Sequence, residues 1–129
     1  MKDAEMYTHP VSTSALKFLV LLLIFFGEFL LIFAEIRGAN TYSIPGQSFG
    51  RVFLQMFVVF IIGGIFLLSG YILGYRAFQN IWLLTAISVA SVLIIEPTMS
   101  FVIFQQIPTR GAWMGLGFGT AGLLSALFL

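Results

Sequence analysis

Four long apolar stretches run along the chain, separated by short polar segments. They cover residues 15–36, 52–73, 81–104 and 112–129. An α-helix needs about 20 mostly apolar residues to cross the roughly 30 Å hydrocarbon core of a bilayer. The last stretch meets this length only with little tilt, because about 18 residues span about 27 Å. The pattern therefore predicts an all-α integral membrane protein with four transmembrane helices.

The segments between these stretches predict how the helices are arranged. Residues 37–51 include glycine, asparagine and proline, so we expect an irregular loop there. The connections near 75–80 and 105–111 are very short, and short connections make consecutive helices antiparallel neighbours. We expect one membrane domain over residues 1–129, a four-helix bundle that follows a polar N-terminal segment, 1–14. That segment is too acidic and too mixed for a secretory signal, so the first stretch is read as a retained transmembrane helix.

Composition agrees with a membrane protein and excludes several kinds of site. Hydrophobic residues make up 60% of the chain, charged residues 9%, and the mean hydropathy is +1.06. Soluble domains carry about 25% charged residues. Cysteine is absent and the one histidine, His9, lies in the polar N-terminal segment. We therefore expect no disulfide, no metal site, no cofactor and no nucleic-acid partner. No nucleophile–base pair or phosphate loop can be assembled, so we expect no enzymatic activity.

The basic residues do not indicate an orientation in the membrane. Four spans place both termini on one side, with three basic residues there and three opposite: Lys2, Lys17 and Arg76 against Arg37, Arg51 and Arg110. This tie removes the usual excess of lysine and arginine on the cytoplasmic side. Two interpretations stay open: an orientation set by partners, or dual topology, in which the chain inserts both ways.

Two glutamates inside the apolar stretches are the main candidates for function. Glu28 lies near the centre of the first span, and Glu96 lies in the third. A charged side chain at the bilayer centre costs about 2.5–3.5 kcal/mol on insertion scales, so such acids face protein or a water-filled cavity. Glu35 follows Glu28 by two helical turns, on the same face and near the interface. We expect this acidic face to point inward.

The third span predicts a polar face opposite these acids. Its members are Thr85, Ser88, Glu96 and Ser100, which fall along one line of the helix. If the two faces meet, the bundle contains a polar seam with two acids. Three roles are open for these acids: exchange of a proton for a cation, structural hydrogen bonding in the neutral form, and pairing with an arginine of another subunit. Pro97 removes the amide that would bond the carbonyl of Leu93, which predicts a kink at Glu96–Pro97.

Glycines predict where helices approach each other closely. In the fourth span they recur every four residues at Gly111, Gly115 and Gly119, with Gly122 beyond them. The second span has Gly63, Gly70 and Gly74 on one side. Small residues at such intervals let helix backbones approach closely in membranes. The partner helix can lie within this chain or in another one, and both interpretations stay open.

Three segments from Gly70 onward form a further pattern: Gly-Tyr-Ile-Leu-Gly-Tyr-Arg-Ala at 70–77, Ile-Ile-Glu-Pro at 94–97, and Gly115 with Gly122 seven residues apart. In these segments the chain resembles the second half of a drug/metabolite transporter superfamily repeat of the EamA-like kind. The four-span size and the acid in the first helix are also similar to the small multidrug resistance branch, whose members work as antiparallel dimers. The resemblance implies that Glu28 is the membrane-embedded coupling acid.

Two functions of different classes follow as expectations. The first is a small dimeric transporter in which Glu28 couples protons to cationic, amphipathic or lipid-linked substrates. The second is an accessory subunit that braces a larger membrane complex and has no transport role. Expected partners are membrane lipids and either a second copy or other membrane subunits. We expect the protein in a prokaryotic cell membrane.

Overall fold

The computed structural model describes residues 13–129, which form four helices joined by short connections. These are α1 (Thr13–Tyr42), α2 (Phe49–Phe78), α3 (Ile81–Phe104) and α4 (Arg110–Phe128). All four are long and apolar enough to cross a membrane. The predicted all-α four-helix membrane fold is therefore confirmed. The expectation for the N-terminal segment falls almost wholly on residues 1–12, which lie outside the described residues.

The first two helices extend beyond the predicted spans. Each has 30 residues. At 1.5 Å per residue this gives about 45 Å, more than the roughly 30 Å hydrocarbon core. Helical hydrogen bonding satisfies the backbone as the chain leaves the hydrocarbon, so α1 continues through Gly38 and Asn40. The irregular loop predicted for 37–51 is consequently limited to residues 43–48, where Gly46 has a φ of 88°.

Two short connections reverse the chain, and each uses a left-handed residue followed by a helix cap. Gln79 ends α2 with a φ of 56°, and Asn80 then caps α3 by accepting hydrogen bonds from the amides of Trp82 and Leu83 at 3.0 and 3.3 Å. The second connection starts with Gln105 at a φ of 56°. It ends at Thr109, whose hydroxyl oxygen accepts from the amide of Ala112 at 3.2 Å. Such caps satisfy amides that the helix itself leaves unpaired.

Glycines bring α1 and α2 into backbone contact. A Cβ atom on Gly27 would stand 2.8 Å from the backbone nitrogen of Leu67, and one on Gly63 would stand 2.9 Å from Cβ of Leu30. Gly27 and Gly63 also face each other, since each would place a Cβ within about 3.1 Å of the other's carbonyl oxygen. No larger residue fits at either position without moving a helix.

The two other α2 glycines named by the sequence also lie at packed positions. A Cβ on Gly70 would stand 2.8 Å from Cγ1 of Ile24, and one on Gly74 would stand 2.9 Å from Cγ1 of Val20. Val20 and Ile24 are fully buried together with Leu84 of α3. These contacts join α1, α2 and α3 at the end of the bundle where α1 begins.

The fourth helix lies at the edge of the bundle. It packs mainly against α3, and none of its residues is buried. A Cβ on Gly111, Gly115 or Gly122 would meet nothing within 4 Å, and one on Gly119 would meet only Cδ2 of Leu93, at 3.3 Å. The predicted glycine face of α4 therefore makes no close helix contact within the described part of this chain.

Pro97 lies inside α3, which continues as one helix from Ile81 to Phe104. The kink at Glu96–Pro97 stays a prediction. The helix carries Ser88 toward α1 and carries Glu96 into the groove beside α4. Its two sides therefore provide two different polar environments.

Candidate functional site

Glu28 is buried at the centre of α1 and is held by a serine of α3. Its side chain is only 8% exposed, and it lies midway between Thr13 and Tyr42. The Ser88 hydroxyl donates a hydrogen bond to Oε1 of Glu28. This contact joins the two faces that the sequence predicted would meet, and it gives the acid a donor in place of water.

The second carboxylate oxygen of Glu28, Oε2, does not take part in the bond from Ser88. No other hydrogen bond to this side chain is formed among the described residues. Since no fully buried side-chain oxygen or nitrogen in residues 13–129 lacks a partner, this oxygen keeps some accessible surface. One oxygen of Glu28 therefore fixes the α1–α3 contact, while the other remains open to a proton or a cation.

Two residues that lie close in sequence to Glu28 or to Ser88 were not singled out in the sequence. Gly27 lets the backbone of α2 reach α1 directly behind the acid. Ser91, one turn beyond Ser88, is buried, and its hydroxyl donates to the carbonyl of Ile87 at 2.9 Å. Gly27 had a sequence signal, because it is the only glycine in the apolar stretch 15–36. Ser91 had no sequence signal, because the sequence does not distinguish a serine that donates to its own helix from one that donates to a neighbouring helix.

Glu35 is exposed, on the side of α1 that borders an aromatic surface of α2. A cavity of about 310 Å³ is lined by Ala34, Glu35, Phe53, Met56, Phe57 and Phe60. The rings of Phe53 and Phe57 stack with their centroids 5.4 Å apart. Glu35 therefore lies beside a largely aromatic cavity, apart from the contact between Glu28 and Ser88.

Glu96 and Ser100 line a groove between α3 and α4. The groove has a volume of about 600 Å³, and its walls also include Val92, Leu93, Pro97, Phe104, Ala112, Gly115 and Leu116. Neither Glu96 nor Ser100 forms a hydrogen bond within the described part of the chain. The other four hydroxyl side chains of α3, on Thr85, Ser88, Ser91 and Thr98, all donate one.

The predicted polar line on α3 divides in the structure. Ser88 faces α1, whereas Glu96 and Ser100 face α4. Thr85 is exposed, and its hydroxyl donates to the carbonyl of Ile81 at 3.1 Å. Residues eight positions apart, such as Ser88 and Glu96, differ by about 80° around a helix, enough to face different neighbours. The expected single seam therefore becomes two separate polar sites.

The three membrane acids have no basic side chain as a partner within the described residues. The ammonium group of Lys17 lies 5.3 Å from the ring centre of Phe78, at the opposite end of α1 from Glu35. No ion pair joins Glu28, Glu35 or Glu96 to a cation of residues 13–129. Among the residues that the structure describes, no three acidic or histidine side chains lie close enough together to hold a metal ion. The arrangement is suited to binding a proton or an external cation.

Comparison with known proteins provides no relative. No family model, no curated protein and no solved structure matches this chain. The resemblance to the drug/metabolite transporter superfamily therefore stays a prediction. On its own geometry, this chain is a small multi-pass membrane protein with a buried acid at the centre of its first helix.

Proposed function

We propose that this protein is a small proton-coupled carrier of cationic or amphipathic substrates, including lipid-linked ones, in a prokaryotic cell membrane. The observation that carries the proposal is the buried Glu28 with its single donor, the hydroxyl of Ser88. Intramembrane acids of this kind commonly belong to proton relays and ion pathways. The resemblance to the small multidrug resistance branch assigns the same role to Glu28.

Coupling follows from competition for one carboxylate. When Glu28 is ionised, it accepts the bond from Ser88 and attracts a cation through its free oxygen. When a proton occupies that oxygen, the charge disappears and the cation loses its partner. Proton and substrate therefore exclude each other at one site, which exchanges one for the other. Because Ser88 belongs to α3, a change at Glu28 also alters the contact between α1 and α3.

The carrier acts as a dimer in this proposal. Helix α4 has no buried residue, and a Cβ on Gly111, Gly115 or Gly122 would meet nothing within 4 Å in the described chain, so this edge is available to a second copy. The equal number of basic residues on the two sides is compatible with copies inserted in opposite orientations. A second copy is also the simplest way to cover the exposed side of α4.

Proton release by the purified protein in detergent tests the carrier directly. We expect addition of an amphipathic cation to release protons from the parent protein. Glu28→Gln should abolish the release because it removes the titrating group while nearly preserving shape. Glu28→Asp should retain partial release with a shifted pH dependence, since the carboxyl remains but its position changes. Thr120→Val is the matched control, because the Thr120 hydroxyl is exposed and donates only to the carbonyl of Leu116.

One observation favours the accessory subunit as a second candidate. The exposed edge helix carries large side chains such as Trp113 and Phe118, 60% and 73% exposed, which suit packing against other subunits. In that case Glu28→Gln should leave every transport assay unchanged and should reduce recovery of partner chains. Release of protons that persists unchanged in Glu28→Gln, or that is absent with every cation tried, would rule out the carrier.

A further inference from the structure

We propose that the groove between α3 and α4 is a binding site for a cation that bears N–H groups, such as a primary ammonium with an apolar body. The inference rests on the proposed function for its role as a substrate site. It differs from that proposal in location and in selectivity, because it concerns Glu96 and not Glu28. The site consists of hydrogen-bond acceptors that have no partner among residues 13–129 and that line one apolar groove.

The first two acceptors are side chains. Glu96 has no hydrogen-bond donor and no basic partner within residues 13–129. Ser100 follows one turn later on the same side of the groove. Its hydroxyl is the only one of the five in α3 that forms no hydrogen bond among the described residues. Glu96 is exposed and Ser100 is half-buried, so a donor from outside the chain can reach both. Such a donor would stabilise polar groups that lie next to hydrocarbon.

The third acceptor belongs to the backbone. Pro97 has no amide hydrogen, so the carbonyl of Leu93 lacks its usual helical donor. Leu93 and Pro97 both line the same groove as Glu96 and Ser100. A carboxylate, a hydroxyl and a free carbonyl thus lie within about two turns of one helix. Such a set accepts several hydrogen bonds from one donor group.

The rest of the groove indicates the shape of the ligand. Most of its lining is apolar and includes the side chains of Val92, Phe104 and Leu116. Gly115 has no side chain and leaves space on the α4 side. Gln106 and Thr109 provide polar groups at the end formed by the connection, and no basic residue lines the groove. A volume of about 600 Å³ lies within the range of small-molecule sites, about 300–1,000 Å³. The charge and the walls together fit an amphipathic cation.

The acceptors favour N–H-bearing cations over quaternary ones. A primary ammonium offers three donors, which equals the number of acceptor groups: the carboxylate, the hydroxyl and the carbonyl. A trimethylammonium group offers the same charge but no donor, so it would shield the acceptors from water without pairing them. An acceptor that a ligand covers without donating to it is costly, whereas a hydrogen bond to a charged group is favourable. The groove should therefore discriminate between two cations with identical tails.

Isothermal titration of the full-length protein in a non-ionic detergent tests this site. The probes are octylammonium and octyltrimethylammonium, which share the same apolar tail. We expect the primary ammonium to bind about tenfold more tightly or better. Ser100→Ala should reduce this preference several-fold, and Glu96→Gln should weaken both probes about tenfold or more. Thr98→Val is the matched control, because its exposed hydroxyl already donates to the carbonyl of Ile94.

The outcomes separate this site from the proposed carrier. Equal affinity for the two probes, or unchanged binding in Glu96→Gln, would overturn the groove site even if Glu28-dependent proton release persists. Selective binding that depends on Glu96 and Ser100 would establish the site even if no proton is released. Recovery of a partner chain that depends on Glu96, with no binding of either probe by the isolated protein, would overturn the small-molecule ligand in favour of a partner helix.

Discussion

At the scale of single residues, the same side-chain type has two different roles one turn apart. Ser88 and Ser91 are both serines of α3 in an apolar helix. Ser88 donates to Glu28 on another helix, whereas Ser91 donates to the carbonyl of Ile87 in its own helix. The bond from Ser88 gives the buried acid a donor, whereas the bond from Ser91 does not involve the acid. Their contributions to stability should therefore differ.

We expect Ser88→Ala to lower the free energy of unfolding by about 1–3 kcal/mol, because it leaves the buried carboxylate of Glu28 without its donor. Ser91→Ala should change stability by less than about 1 kcal/mol, since serine bonds to its own helix stabilise it little. Unfolding by denaturant in detergent measures both. The loss in Ser88→Ala should shrink in a Glu28→Gln background, because the two residues form one coupled unit. Equal losses for the two serines would contradict this assignment.

At the scale of helices, contact is decided by which glycines face a neighbour. Gly63 and Gly64 are adjacent in α2, yet a Cβ on Gly63 would stand 2.9 Å from Leu30, whereas one on Gly64 would meet nothing within 4 Å. The first glycine permits the α1–α2 contact, and the second is accommodated without contributing to it. The spacing of glycines in the sequence shows where a close contact is possible. The rotation of the helix then determines which glycine makes that contact.

This pair of glycines provides a matched test of the α1–α2 contact. We expect Gly63→Ala to destabilise the protein by about 1–3 kcal/mol, because backbone atoms of α1 would have to move. Gly64→Ala should be neutral or stabilising by up to about 1 kcal/mol, since alanine is the better helix former. Thermal unfolding in the same detergent compares them. A stable Gly63→Ala variant would show that the two helices can separate without loss.

At the scale of the whole molecule, the bundle has three well-packed helices and one edge helix. Helices α1, α2 and α3 share buried side chains, whereas α4 has none. Within a membrane this edge costs little, because lipid chains are as apolar as the side chains that they contact. The glycine face of α4 is therefore available for association with another chain.

Gly115→Leu tests this availability. A Cβ at residue 115 meets nothing within 4 Å, so the fold of the monomer should be unchanged. If α4 forms the dimer contact, the added side chain should prevent close approach and shift the protein toward monomers. Sedimentation or light scattering in detergent measures the association. Unchanged association in the variant would show that this face is exposed to lipid.

Much of the fold follows from local properties of the sequence. The four spans are determined by length and hydropathy, because a backbone in hydrocarbon must satisfy its own hydrogen bonds and a helix does so locally. The antiparallel order follows from the short connections, and Asn80 and Thr109 are ordinary cap residues. The sequence also identified Glu28 as a buried acid and Ser88 as a member of the facing helix, because both are polar exceptions in apolar stretches.

Only the tertiary structure decided how the polar residues are distributed. These helices are apolar on nearly all sides, so no amphipathic pattern indicates which face points inward. The rotation of α3 in the bundle places Ser88 against Glu28 and turns Glu96 and Ser100 toward α4. The extent of burial of α4 likewise depends on the rest of the bundle and not on its own sequence. A pattern along one helix specifies spacing, whereas contact depends on the shape of the neighbouring helix.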